Sequence, residues 1–205
     1  MKNLLVILIS GGFLFSCIKH VVIPPPLPVV DLSASFSADT NGVQISYIKD
    51  LNGFYVQATN YREILSSPQP SNIKYFSTIQ SSNLTDLFKV SVGRDFWDAA
   101  NGTFPTVGQF KVYFESMLNV SLPFSDDATQ GVLLEWRDSN NQLWKTVAAS
   151  PQPKSFVFTS ITQESDESGD YVKFTAVFTA TFFSPDMSQQ RTLTNGQYVG
   201  YFKNN

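Results

Sequence analysis

Tyr171-Val172-Lys173-Phe174-Thr175-Ala176-Val177-Phe178-Thr179-Ala180-Thr181-Phe182-Phe183 is the stretch on which the fold turns. Val172, Phe174, Ala176, Phe178, Ala180 and Phe182 occupy every second position, while Tyr171, Lys173, Thr175, Thr179 and Thr181 dominate those between. Only an extended chain throws successive side chains to opposite faces, so the spacing predicts a long strand buried on one side and wetted on the other. Such a strand belongs in an antiparallel sheet, since parallel sheets are covered on both faces.

The same period runs outward in both directions. Residues 164–169 read as a turn that feeds this strand from another at 156–162, and Asn195-Gly196 as the turn into a closing strand at 197–202. Upstream, Leu32, Ala34 and Phe36 alternate with Ser33, Ser35 and Ser37. Asn41-Gly42 predicts a type I′ hairpin, because Asn and Gly tolerate the positive φ angles that turn demands. A return strand follows at 43–48, then an Asn52-Gly53 turn, then Phe54, Val56 and Ala58 alternating with Tyr55, Gln57 and Thr59. Pro68 and Pro70 mark a Ser-rich loop, and 73–80 and 87–92 are further strands.

One segment changes period. Thr106-Val107-Gly108-Gln109 fits a capping box, in which the Thr side chain accepts from a free helix amide and the Gln side chain reaches back. Phe110, Tyr113, Phe114, Met117 and Leu118 then form one apolar stripe at helical spacing, with Lys111, Glu115 and Asn119 opposite. The expected fold is all-β and mainly antiparallel: a two-sheet sandwich or flattened barrel with one covering α-helix near 107–118.

Composition narrows the function classes. Eighteen Phe among 205 residues is a load that must lie mostly inside. The net charge of −3, with Lys and Arg scattered singly, argues against a nucleic-acid partner. There is one cysteine and one histidine, so disulfides are excluded, and so is any triad or metal site built on several histidines.

That cysteine has a telling place. Residues 4–15 are an apolar run behind Lys2, too short for the ~20 residues that span a bilayer and the right size for a signal-peptide core. The run closes on Leu14-Phe15-Ser16-Cys17, which resembles a bacterial lipobox. The resemblance implies cleavage after Ser16 and a diacylglyceryl thioether on Cys17, with acylation, often by palmitate, of the new amine. Two or three acyl chains at ~0.8 kcal/mol per buried methylene hold a protein on a membrane, where a single chain would not. The expected organisation is a signal peptide at 1–16, a lipidated Cys17 with a Pro-rich tether to residue 30, and a single β-rich domain at 31–205. Pro24-Pro25-Pro26 and Pro28 favour polyproline II in that tether.

From Phe104 onward the chain resembles a group of Bacteroidota envelope lipoproteins with a β-sandwich-like domain of unknown function. The features that carry this are the Phe-faced helix, Gly131-Val132-Leu133-Leu134-Glu135-Trp136-Arg137-Asp138, Leu143-Trp144-Lys145-Thr146, and Asn195-Gly196-Gln197-Tyr198. Trp136 stands where Tyr is common and Asn141 where Gly is common. These are hairpin positions, so the resemblance implies a fold and a location but no catalytic residue. It implies the outer membrane, and the apolar and basic Ile18-Lys19-His20 after the anchor favours its periplasmic face over the cell surface.

Chemistry is sparse. His20 lies in the tether, so a histidine base in the domain is excluded. No glycine-rich phosphate loop or cofactor motif is present, and no cofactor or metal is expected. A hydrolase acting through two carboxylates would have to draw on Glu135, Asp95/Asp98 or Asp126/Asp127. Asp166-Glu167-Ser168-Gly169-Asp170 alternates oxygen ligands, yet it lacks the loop length and terminal Glu of a calcium site.

The better lead is aromatic. A two-residue turn at Asn140-Asn141 places Trp144 outward, beside Arg137 and on the face of Glu135, as a platform for a sugar or peptide. A three-residue loop reverses that parity and puts Trp136 and Trp144 on one side. The expectation is a non-catalytic binding or adaptor module of the envelope with a glycan or protein partner. The alternatives are a carbohydrate-active hydrolase and a structural subunit of a surface assembly.

Overall fold

A computed structural model describes residues 29–126, 131–149, 151 and 154–205. Cys17, the lipobox and the proline tract lie outside the described residues. Within them the chain is all-β. Ten strands follow in order: β1 (Ser35–Thr40), β2 (Val43–Ile48), β3 (Phe54–Glu63), β4 (Ser71–Ser81), β5 (Leu87–Trp97), β6 (Gly131–Arg137), β7 (Leu143–Lys145), β8 (Ser155–Asp166), β9 (Gly169–Phe183) and β10 (Gln190–Lys203). A single α-helix, α1 (Val107–Glu115), lies between β5 and β6.

The strands form one continuous sheet in the order β2-β1-β10-β9-β7-β6-β5-β4-β3, with β8 joined off this path to β9, and every ladder between them is antiparallel. The sheet curls until β10 faces β4, where Ser77 Oγ and the Tyr198 hydroxyl meet at 2.9 Å. It is therefore an open, flattened barrel rather than two separate sheets, with β2 and β3 as its edges.

The alternating residues of β9 do what their spacing requires. Val172, Phe174, Ala176, Phe178, Ala180 and Phe182 are all buried. Phe178, Phe88 and Phe36 stack as a column, with ring centroids 5.3 and 4.0 Å apart. Such pairs contribute about 0.5–1.5 kcal/mol each beyond the area they bury.

β9 forks. Its residues up to Thr179 pair with β8, whereas its last residue, Phe183, pairs with Lys145 of β7. The gap this leaves is stitched by the chain that follows α1. Asn119 and Leu122 donate their amides to Phe158 and Phe156 of β8, and Ser125 donates to Val132 of β6. Above this stitch α1 packs Phe110 and Phe114 onto Tyr75, at 5.2 Å in each case, and Phe114 onto Phe202 at 4.8 Å.

Both halves of the capping box are present: Gln109 N donates to Thr106 Oγ1, and Thr106 N to Gln109 Oε1. The helix ends at Glu115, earlier than the stripe predicts, because Leu118 is taken into a bridge with Phe158.

Two predicted turns are corrected. Residues 164–166 belong to β8, Glu164 opposing Tyr171, so the β8–β9 hairpin turns only at Glu167-Ser168. Asn195-Gly196 lies inside β10 rather than at its start. There it forms a bulge, one residue extra against both β9 and β1, which bends the strand. A Cβ on Gly196 would come within 2.5 Å of the Phe178 ring, so only glycine lets that ring lie across the strand. The hairpin itself turns at residues 184–189. By contrast Asn41-Gly42, with φ of 50° and 78°, closes β1–β2 as predicted.

Val30 is buried against Tyr171 and Tyr201, and its amide donates to Asp166 Oδ2 at 2.9 Å. The domain thus takes hold of the chain at that residue.

A cleft between the helix and the fifth strand

The Trp144 platform does not form. Arg137 pairs with Leu143 and Trp136 with Trp144, and Asp138 N donates to Gln142 O, leaving Ser139, Asn140 and Asn141 as a three-residue loop. Asn141 takes the left-handed conformation, φ 62°, that such a loop needs at its last position. This is the parity that places both Trp side chains on one face, and that face is the core: Trp144 is 1% exposed.

Its indole Nε1 donates to Asp138 Oδ2 at 3.1 Å, and the cation over its ring is Arg191 of β10, at 4.5 Å, not Arg137. Arg191 also reaches Asp138 Oδ2 at 3.2 Å. Trp136 Nε1 donates to the Tyr47 hydroxyl at 3.3 Å. Among these groups both indole N–H donors have partners, and the arrangement reads as structure.

Glu135 and Arg137 lie on the opposite face of β6. Arg137 Nη1 donates to Leu84 O. Glu135 is clasped between Lys89 at 2.7 Å and Lys145 at 3.0 Å. Burial alone would push the Glu135 carboxyl up, but hydrogen bonding and charge from Lys89, then Lys145, hold it below the usual carboxylate range.

The other candidate carboxylates are dispersed. Asp98 is exposed and accepts from Ala100 N at the start of the 3-10 helix Ala99–Asn101. Asp126 accepts from Ala148 N at 2.7 Å, and Asp127 lies outside the described residues. Asp166 Oδ1 accepts from both the amide and the hydroxyl of Ser168. Among the described residues no group of three His, Cys, Asp or Glu could hold a metal ion.

Asp95 is the exception, and a bulge puts it there. Ile73 opposes Asp95 while Lys74 opposes Gly93, so Arg94 has no opposite number. The extra residue reverses the alternation of β5. Phe88, Val90 and Val92 point inward before it, Asp95 and Trp97 after it. Beyond Gly93 the strand has also outrun β6, and α1 lies alongside instead.

Between them is a cleft of about 530 Å³, open to solvent, lined by Asp95 and Phe96 of β5 and by Thr106, Gln109, Val112 and Tyr113 of the helical segment. Asp95 is 8% exposed. Its Oδ2 and the Tyr113 hydroxyl are both buried, and neither has a hydrogen-bond partner among the described residues.

Burial pushes the Asp95 carboxyl up to about 6, with only the Phe96 amide acting against it. Burial first, then the Asp95 charge, pushes the Tyr113 and Tyr75 hydroxyls up as well. Buried polar groups are nearly always paired, so two unpaired ones on residues that line the same cleft need a reason. In the sequence Asp95 stands out only as a pair with Asp98, and Tyr113 only as part of a packing stripe. The signal that could have joined them, an extra residue in β5, is invisible without the partner strand.

The chain matches no family model, no curated protein and no solved structure.

Proposed function

We propose that the protein is a lipid-anchored binding module of the bacterial envelope that works without catalysis. On this reading Cys17 carries the lipid, the proline-rich segment sets the distance from the bilayer, and the cleft between β5 and α1 receives the partner. The observation that carries the reading is the pair of unpartnered buried groups, Asp95 Oδ2 and the Tyr113 hydroxyl, at one open cleft. Pockets that bind combine apolar walls with a few convergent polar groups, and this cleft has both. The dispersal of Glu135, Asp98 and Asp126 among separate partners favours binding over hydrolysis by a carboxylate pair.

A photo-crosslinking residue at Val112, 64% exposed on the cleft rim, tests this in living cells against one at exposed Asn140 on the β6–β7 loop. A discrete adduct is expected at Val112 and none at Asn140. No adduct at Val112, or the same adducts at both, removes the cleft as the binding face. The anchor is tested separately. Cys17→Ser should move the protein from the detergent phase to the soluble fraction and abolish acyl labelling.

A further inference from the structure

The cleft has an unusual electrical balance. Its lining brings one carboxylate and no lysine, arginine or histidine. Among the described residues the phenols of Tyr113 from α1 and Tyr75 from β4, both neutral, feel the Asp95 charge, and no cation, the adjacent Arg94 included, contributes to its ionisation. Arg62 of β3, whose position in the register lies on the same side, is committed elsewhere. Its guanidinium stacks on Phe104 at 3.6 Å and donates to Thr103 O at 2.7 Å. Lys111 of α1 pairs with Glu115. A buried carboxylate without a counter-ion disfavours its own charge, and a cationic ligand would reverse that.

The two orphan atoms define the ligand further. Asp95 Oδ2 accepts, and the Tyr113 oxygen can accept as well, so the complementary group carries a positive charge and at least two N–H donors. The rim above them is apolar: Phe96 is 44% and Val112 64% exposed, a surface suited to an aliphatic stem. A guanidinium is wide and planar, whereas an ammonium is a compact charge on a flexible chain.

We propose, building on the binding reading above, that the cleft takes the primary ammonium of a lysine side chain, held between Asp95 and Tyr113 with its methylenes against Phe96 and Val112. Neither orphan atom touches solvent, so entry turns the Asp95 carboxylate toward the opening.

The test uses the full-length chain in a non-ionic detergent, with the Asp95 carboxyl followed by ¹³C NMR. The probes are Nα-acetyl-lysine methylamide, its Nε-trimethyl form, which keeps the charge and loses the donors, and its Nε-acetyl form, which loses the charge. Saturating lysine probe should lower the Asp95 midpoint by at least one pH unit, a tenfold preference for the ionised form. Both modified probes should bind at least tenfold more weakly at pH 7.5. Asp95→Asn should abolish binding, and Tyr113→Phe should weaken it severalfold while Asp95 still titrates.

Equal binding of the trimethyl probe, undiminished binding to Asp95→Asn, or an Asp95 midpoint that no probe moves overturns the proposal. The binding reading fails separately: adducts at Val112 without lysine binding sink only the ligand class, and the loss of both sinks the cleft.

Discussion

The two ends of this barrel bury polar groups in opposite ways. At one, Trp144, Asp138 and Arg191 form a closed set in which one carboxylate oxygen serves an indole N–H and a guanidinium. At the other, Asp95 of β5 and Tyr113 of α1 line one cleft with Oδ2 and the hydroxyl unpaired among the described residues. A paired network adds stability and fixes one packing, while an unpaired one costs stability that the fold must supply elsewhere. The aromatic end, which looked like the binding platform, is therefore core. The helical end, which looked like core, holds the unanswered chemistry.

That contrast breaks most easily at Trp144. Trp144→Ala should destabilise the domain by about 3–5 kcal/mol, a large part of the total for a domain of this size, measured by denaturant unfolding. A near-neutral result would return the residue to the surface and erase the distinction.

Asp138→Ala should cost about 1–3 kcal/mol, since it strands the Trp144 N–H and leaves the partly exposed Arg191 without its anion. An effect as small as that of a surface carboxylate would show the network to be incidental.

At the other end the sign should invert. The folded Asp95 carboxyl, at about 6, lies above its unfolded value, so ionisation opposes folding. That penalty is absent below the unfolded pKa, grows as pH rises through the interval to about 6, and is complete above it. Asp95→Asn should therefore stabilise the protein by about 1–2 kcal/mol at pH 8 and bring no gain at pH 3.5. Equal melting shifts at both pH values would mean that the carboxylate is not held against its charge.

The smallest effect belongs to Tyr113→Phe. It removes a hydroxyl that has no hydrogen-bond partner among the described residues and should change stability by less than about 0.5 kcal/mol. A loss above about 1 kcal/mol would reveal a partner for the hydroxyl and remove one of the two groups on which the cleft reading rests.

Much of the architecture could be read from local pattern. The alternation of β9, the Asn41-Gly42 hairpin and the Thr106–Gln109 capping box each depend on residues close in the chain, whose conformational preferences act before any tertiary contact. The all-β class and the buried face of β9 follow from them. What local pattern could not supply was parity. One extra residue, at Arg94 in β5 or in the loop Ser139–Asn141, sends every later side chain to the other face, and a bulge exists only relative to the strand opposite it. Asn195-Gly196 carries the same turn signal as Asn41-Gly42, yet it becomes a bulge because β9 and β1 pair with the chain both before and after it.

The sequence by itself thus determined the all-β class, the buried face of β9, the start of the helix and the chemical inventory, because period and capping are properties of neighbouring residues. Only the tertiary structure decided that Trp144 is covered and that Asp95 and Tyr113 line one cleft, because register is settled between strands distant in sequence.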